Sequence, residues 1–398
     1  RGSFSAISGL VYRSNGSLVK TAPPVPIENL DALAHPSAHF TYQHLAMSRG
    51  CPGKCTFCGS PRFWGSSRVR SHSPQWFVDE IEALAAKGVT HFYLSDDTFT
   101  MDKARVLEFC RRIRQKKLTI TWNAISRVDY LDEELVFAMR TAGCIQISFG
   151  VESGSDAIRK KLGKPVDSDQ IFRAFSLTRS FGIMPRAYFI YGSPGETPAT
   201  IADSLRMMDA IQPLSAVFYL LVIFPGTHLY HKAVARHKIS DHIWHERIED
   251  LPWFEVDDLL DFQTVKSFGD TLRSHFFSAL ETFVQTLVLV DKKELYPFHA
   301  DFLSRLAMTF SHGEYANHPQ LKNPDQIAWM LYENALRYAP DARAFLGMAM
   351  LSQKRRQFHA AISTLEKALS IWPDNPDLML CMGICQMNTG RFKTALEH

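Results

Sequence analysis

An α/β fold with a parallel sheet, followed by an all-α region, is the architecture predicted for this chain of 398 residues. Two observations predict it. Between residues 44 and 225 short β-rich runs alternate with amphipathic stretches, and strands joined through helices pair in parallel with right-handed crossovers. Beyond residue 325 small side chains recur at a period near 34 residues, the spacing of stacked helix pairs. At about 150 residues per domain, the length accommodates two or three domains.

Composition narrows the class. With 46% hydrophobic and 21% charged residues the chain is an ordinary globular one, without the run of about 18 apolar residues that a membrane span needs. The net charge of +3 is too even to point to nucleic acid or an anionic membrane. There are seven cysteines, three of which, Cys51, Cys55 and Cys58, fall within eight residues. That crowding fits a metal role in a reducing compartment better than a disulfide framework. The chain opens on Arg1 with no signal segment behind it and is expected to be a piece of a longer protein.

Residues 1–43 read as an arm or linker. A hairpin is expected where Leu10-Val11-Tyr12 and Ser17-Leu18-Val19 flank Asn15-Gly16, and an extended stretch from Pro23 to Pro36. In 44–225, strands are expected near 44–49, 91–96, 119–124, 145–150, 186–191 and 216–223, and helices near 74–87, 102–116, 132–141, 168–181 and 198–210. Six strands and five helices describe a doubly wound sheet or a partial barrel; in both, ligands sit at the carboxyl ends of the strands. Residues 226–324 read as a helical extension of the catalytic region. Its histidines His228, His231, His237, His242 and His245 form no recognised ligand motif and are read as surface or core residues, as Trp244, Trp253, Phe254 and Phe262 are read as packing.

In 325–398 the register is set by Phe345, Ala349, Ala361, Leu365, Ala368 and Pro373. Met379, Gly383 and Ala395 repeat the first three 34 residues later, and Tyr332, Ala335 and Pro340 precede the last three by 33. Small residues where helices cross and a closing proline resemble the tetratricopeptide repeat. This segment is expected to form helix pairs separate from the catalytic unit and to present a substrate protein or carrier.

Cys51-Pro-Gly-Lys-Cys55-Thr-Phe-Cys58 follows the first strand directly. Three thiolates on one tight loop hold three corners of a metal cluster; a structural zinc site would want four. Cys110, Cys144, Cys381 and Cys385 stand apart and read as buried small hydrophobes. Three ligands without a fourth leave one iron open.

The C-x3-C-x2-C spacing, with aromatic Phe57 before the last cysteine, resembles the radical S-adenosylmethionine enzymes. That resemblance covers residues 44–225 and implies a partial (β/α)6 parallel barrel. A 4Fe-4S cluster would sit on Cys51, Cys55 and Cys58, its open iron chelating the amino and carboxylate groups of S-adenosylmethionine, with reductive cleavage giving a 5′-deoxyadenosyl radical. The family often has a Gly-Gly-Glu-like motif at the end of the second strand, for the ammonium of the methionine moiety. Here Asp96-Asp97 stands in that place, as in the cobalamin-binding branch; read alone, Asp97 would cap a helix. Asn123 and Arg127 follow the third strand, and Arg127 is expected at the methionine carboxylate or, read alone, in a structural ion pair. Gly150-Val151-Glu152-Ser153-Gly154-Ser155 is similar to the family's "GIESGS" element, with Glu152 at the ribose hydroxyls and Ser153 supporting it. Gly192-Ser193-Pro194-Gly195-Glu196-Thr197 is similar to "GLPGET", where Gly192 lets the backbone approach adenine.

Residues 8–31 resemble the junction that follows a cobalamin-binding domain, so cobalamin held by a domain outside this chain, and methylation of an unactivated carbon, are expected. Radical cyclisation or rearrangement is the alternative, and a cluster-bearing docking scaffold a second one. The resemblance also implies an electron donor such as flavodoxin or ferredoxin, and a cytoplasmic setting for an oxygen-labile cluster.

Overall fold

The computed structural model describes residues 3–65, 68–236, 238–245 and 257–396. His237, Trp253 and Phe254 lie outside them, as does the side chain of His245. The arm carries the expected hairpin, β1 (Val11–Ser14) and β2 (Ser17–Lys20), closed by Asn15 and Gly16 with φ of 48° and 81°, the pair of positive φ values that an Asn-Gly hairpin turn requires. From Leu30 onward the arm is clamped to the body. Leu30 is fully buried, Asp31 accepts the Ser73 N–H at 2.9 Å, and buried Glu80 accepts from the Ser37 amide and hydroxyl, each at 2.7 Å.

The expected first strand is split into β3 (His44–Leu45) and β4 (Ser48–Arg49). The cause is Asp96, whose carboxylate accepts the N–H groups of Met47 (3.0 Å) and Ser48 (2.6 Å) and so withdraws them from the ladder. After the cysteine loop come α1 (Ser60–Phe63), β5 (Arg70–Ser71, antiparallel to β4) and α2 (Pro74–Ala85). Then strands and helices alternate: β6 (His91–Leu94), α3 (Lys103–Gln115), β7 (Thr121–Ser126), α4 (Glu133–Thr141), β8 (Cys144–Glu152), α5 (Asp156–Lys161) and α6 (Ser168–Ser180). β9 (Met184–Tyr191), α7 (Pro198–Ile211) and β10 (Ser215–Leu220) complete the series.

The main sheet runs β3-β6-β7-β8-β9-β10, every neighbouring pair parallel and in chain order. A doubly wound sheet reverses its strand order at a switch point; this one never does, which makes it the partial barrel. Alternation along each strand sorts the faces. Trp122, Phe149 and Phe189 are fully buried on the helix side, where Trp122 meets Phe109 of α3 edge-on (centroids 5.6 Å apart) and Phe149 meets Phe175 of α6 (5.2 Å). Each such ring contributes about 1.5–3 kcal/mol by burial. On the opposite face Tyr93 and Tyr219 keep 38% and 49% of their surface exposed, so the concave side of the sheet is open.

Beyond α8 (His228–Ala235) the chain is helical in α9 (Phe262–Gln285), α10 (Tyr296–Ser311), α11 (Pro324–Tyr338), α12 (Ala342–Lys354), α13 (Phe358–Leu369), α14 (Pro376–Asn388) and α15 (Phe392–Ala395). The repeat positions Ala349, Ala361, Leu365 and Ala368 are wholly buried. At Gly347 α12 lies close against α11: a Cβ there would overlap the Tyr332 ring. The core of the sheet continues without a break through α10 and α11 to Leu351, and a second small core joins α12, α13 and α14. Residue 325 therefore opens a helix that shares its core with the barrel. Asp301 ties the two parts by charge, with Arg140 of α4 at 2.9 Å, Arg305 at 2.8 Å and Arg343 of α12 at 3.0 Å. Burial raises the Asp301 carboxyl, but Arg140 and Arg305 outweigh it and hold the group below the usual carboxylate range. No helix among the described residues is long and apolar enough to cross a membrane.

Candidate active site

The cysteine loop leaves β4 at Gly50, whose φ is 112° and where a Cβ would stand 2.8 Å from the Arg68 carbonyl oxygen. Only glycine suits that backbone and that approach. The loop is then pinned from outside. Thr56 N–H donates to the Leu162 carbonyl at 2.9 Å, Leu229 N–H donates to the Thr56 carbonyl at 3.1 Å, and the Phe57 ring packs into an apolar cluster with Leu162, Ile190 and Leu229. Phe57 thus anchors the loop and presents no polar group of its own.

The thiols of Cys51 and Cys55 and Nη1 of Arg127 all lie within 4 Å of the point where a Cβ on Gly53 would stand. Cys51 Sγ accepts the Gly53 N–H at 3.4 Å and lies 3.6 Å from Thr98 Oγ1. All three thiols are free and partly exposed. Among the described residues no group of three or more His, Cys, Asp or Glu closes on a single metal ion. A loop that supplies three thiols has the donors for three corners of a cluster. Burial pushes the Cys55 thiol up to about 11, Lys164 pulling against it, and burial also raises Cys58. Thiols raised in this way stay protonated at neutral pH, so a metal that bound them would displace protons.

Glu152 ends β8 in a left-handed conformation (φ 62°), at a register shift between Gly150 and Glu152. A non-glycine residue in that region stores strain. What holds it is Lys164, whose Nζ donates to Glu152 Oε1 at 2.6 Å with both side chains more than nine-tenths buried. Gly150 makes room, because a Cβ there would overlap both Glu152 Oε1 and Lys164 Nζ. The Cys55 thiol feels the charges of Lys164, Glu152 and Arg127, and Cys58 those of Asp97 and Glu152. Thiols, two cations and two carboxylates thus share one field at the carboxyl ends of the strands.

The expected residues separate by where their polar atoms go. Arg127 gives Nε and Nη2 to Asp129 (3.0 and 2.8 Å), leaving Nη1 toward the loop. Asp97 Oδ2 accepts from Ser60 Oγ (2.8 Å) and Trp64 Nε1 (3.0 Å), while no bond to its Oδ1 is formed among the described residues. Asn123 lies on the open face of β7 with Oδ1 buried and without a partner among the described residues. Asp96 and Ser153 turn into the scaffold instead. Both Asp96 oxygens are taken by Met47 and Ser48, and burial pushes that carboxyl up to about 6. Ser153 accepts the Ser155 N–H at 3.2 Å and gives its carbonyl to Arg159 at 2.7 Å. Gly192 adopts φ 84°, and its N–H donates to Glu196 Oε2 at 2.6 Å. Glu196 is buried with Oε1 unpartnered among the described residues, and burial pushes its carboxyl up to about 7.

Lys164, Thr98 and the paired role of Asp129 escape sequence reasoning. The one available signal for Lys164 is the Gly163-Lys164-Pro165 turn that follows α5. A cavity of about 810 Å³ lies at the other end of β8 and β9 among Gln146, Arg186, Arg305, Arg343 and Leu346, away from the thiols. Chemistry and volume therefore part company here, and the donor set is the better guide to the reaction centre.

Residues 45–208 match the model of the Radical SAM superfamily, and residues 353–398 that of a tetratricopeptide repeat. An uncharacterized methyltransferase of Pyrococcus horikoshii is 33% identical over 258 residues, 61% of this chain and 55% of that protein. The anaerobic magnesium-protoporphyrin IX monomethyl ester cyclase of Rubrivivax gelatinosus is 29% identical over 253 residues, 60% of this chain and 45% of that one. The chain spans about half the length of these curated relatives. Among solved structures, the cobalamin-dependent S-adenosylmethionine radical enzyme OxsB with aqua-cobalamin bound superposes with a TM-score of 0.57 at 16% identity, over 99% of this chain and 61% of that one. At that identity the likeness speaks for the fold.

Proposed function

Residues 45–208 of this chain are a radical SAM domain, and from that premise we propose that the protein cleaves S-adenosylmethionine reductively at a four-iron four-sulfur cluster on Cys51, Cys55 and Cys58. The observation that carries the reading is the convergence of the Cys51 and Cys55 thiols and Arg127 Nη1 on one point over Gly53. When bound, the cluster supplies the electron that breaks a carbon–sulfur bond of the cofactor.

The chain's own residues do the positioning. Arg127, oriented by Asp129, offers Nη1 to the methionine carboxylate; Asp97 offers its open oxygen to the ammonium. Glu152, held in its strained conformation by Lys164, accepts from the ribose hydroxyls through its second oxygen. Glu196 fixes the Gly192 turn against which adenine is seated. Tyr93 and Tyr219, half-open on the concave face, exclude water from one side of the reacting carbon and receive apolar substrate surface.

For the reaction that follows cleavage we favour cobalamin-dependent methylation of an unactivated carbon, supported by the methyltransferase relative at 33% identity. Radical cyclisation is the second reading, supported by the cyclase relative at 29%. The tetratricopeptide segment adds docking of a substrate protein or carrier. The test is anaerobic reconstitution of the full-length protein with deuteromethyl-labelled S-adenosylmethionine, with and without cobalamin. Label in the product only when cobalamin is present supports methylation; cobalamin-independent 5′-deoxyadenosine without label transfer points to cyclisation. Absence of any cleavage by reduced, cluster-loaded protein overturns the enzyme reading itself.

A further inference from the structure

The cavity at the far end of β8 and β9 opens onto the concave face of the sheet. Pro185, Ala187 and Phe189 of β9 are buried toward the helices, so Met184, Arg186, Tyr188 and Ile190 alternate onto the other side. Met184 and Arg186 line the cavity of about 810 Å³, together with Gln146, which pairs with Met184 across β8 and β9. Helices α10, α12 and α14 wall it opposite the sheet through Phe302, Leu346 and Leu378. At the other end of the same strand Ile190 shares an apolar cluster with Phe57 of the cysteine loop. At about 3.3 Å per residue, Arg186 and Ile190 stand roughly 13 Å apart. Between them the Tyr188 ring meets Tyr219 edge-on, centroids 5.6 Å apart. Ile125 of β7, level with Arg186 through Ser148, keeps 37% of its surface exposed.

Four arginines line the cavity, and they are not equivalent. Arg140, Arg305 and Arg343 share the carboxylate of Asp301. Arg186 forms no ion pair among the described residues. Its Nε donates to Ser215 Oγ at 3.0 Å, which orients the guanidinium, and no bond from its two terminal nitrogens is formed among the described residues. Glu314 and Asp377 also line the cavity; both are exposed, and neither is ion-paired among the described residues. Asp341, close to Arg343, caps α12 through the Ala344 N–H at 2.8 Å. Two buried polar atoms lack partners among the described residues. One is Nε of Arg140, a cavity residue 1% exposed; the other is Oδ1 of Asn123, which stands opposite Gln146 across β7 and β8. Such atoms are costly to bury until something bonds to them.

Resting on the cluster reading above, we propose that the substrate is an elongated, largely apolar molecule ending in a carboxylate. Arg186 binds the carboxylate, and the apolar body runs along Tyr188 and Tyr219 with its reacting carbon toward Ile190 and the loop. A planar guanidinium with two free nitrogens matches a carboxylate through two parallel hydrogen bonds. One uncompensated cation in a cavity that also holds Glu314 and Asp377 suits a single negative charge. A phosphate dianion would meet both acids with one arginine to hold it. The helical array is then part of the substrate site, because α12 and α14 supply the wall that the sheet lacks.

The experiment uses reconstituted full-length protein and three ten-carbon probes, decanoate, decanol and decyl phosphate, each titrated by calorimetry. Decanoate should bind about tenfold or more tightly than either of the others. Arg186→Leu should raise the decanoate Kd by about tenfold or more and leave the decanol Kd unchanged, and Arg186→Lys should recover part of the loss. Leu346→Trp, which fills the cavity from the helical wall without touching Arg186, should weaken decanoate and decanol alike. It keeps the test decisive if Arg186→Leu does not fold, which the Tm reports. A decanoate Kd indifferent to position 186, or no tighter than that of decanol, overturns the proposal; decyl phosphate bound more tightly than decanoate overturns the carboxylate. Iron content and S-adenosylmethionine cleavage are read separately on the wild type. Arg186-dependent decanoate binding by a protein that neither loads iron nor cleaves the cofactor strikes the cluster reading and leaves the carboxylate site standing.

Discussion

Lys164 donates to Glu152 across 2.6 Å in a pair buried on both sides, and Glu152 is the residue whose backbone is forced to φ 62°. The pair thus joins a strained strand end to a turn twelve residues on, directly beside the thiols. Removing the lysine strands a carboxylate in low dielectric. Lys164→Met should therefore cost about 3–5 kcal/mol in denaturant unfolding, and the double variant Glu152→Gln/Lys164→Met should recover most of it. Glu152→Ala should weaken S-adenosylmethionine binding about tenfold or more in anaerobic calorimetry, as expected for one lost charge-assisted hydrogen bond, with iron content retained. An unaltered affinity would remove Glu152 from the ribose.

Iron should distinguish the seven cysteines. Anaerobically reconstituted protein is expected to hold about four irons with broad visible absorption. Cys58→Ala should lose both, and Cys110→Ala should keep both because that thiol is fully buried in the core. Full iron in the Cys58 variant is the result that sinks the ligand assignment.

Glu196 gives the fold a pH dependence with a definite sign. In the unfolded chain it ionises near the ordinary 4.5, whereas burial in the folded protein raises it to about 7. Across that window the folded state binds the extra proton, so stability falls as pH rises and levels off above about 7. A shift of this size corresponds to on the order of 3 kcal/mol. Glu196→Gln keeps an acceptor for the Gly192 and Ser193 N–H groups and removes the ionisation. Its stability relative to wild type should climb between pH 4.5 and 7; parallel stability profiles for the two proteins would contradict this.

Truncation should expose the difference between the two helical cores. Ending the chain after Arg355 removes α13 and α14, which belong to the second core, together with α15, and should leave iron content and cofactor cleavage intact. Ending it after Leu321 also removes Ile327, Leu331 and Tyr332, which belong to the core of the barrel, and should lower the Tm markedly or prevent iron loading. Equal thermal stability of the two truncations would mean that α11 is dispensable to the barrel.

The parts of this molecule legible in its sequence are those written locally. The cysteine spacing sits on one loop, the Asn15-Gly16 turn in four residues, and the 34-residue period repeats side chains whose burial depends on their own helix pair. Each of the six strands of the main sheet overlaps a run expected to form one, although the first keeps only His44–Leu45 of the expected 44–49. What the sequence does not disclose is which of two adjacent acids faces inward: Asp96 and Asp97 look alike until Asp96 is found taking the Met47 and Ser48 amides, and that same choice cuts the expected strand 44–49 in two. Lys164 is hidden for a similar reason, since nothing in a Gly-Lys-Pro turn tells that its ammonium folds back beneath a strand end. The continuity of the core from Leu45 to Leu351 is a property of surfaces meeting, and a periodicity that changes at residue 325 cannot report it.

That continuity has a mechanical consequence. A helical array hung from a catalytic unit by a linker would swing, and whatever it grasped would explore a sphere. Here the first helix of the array is cemented into the barrel and Asp301 is riveted to both, so the repeats behave as a ruler fixed to a workbench: each further repeat lengthens the ruler by one graduation and leaves its bearing on the open face of the sheet unchanged.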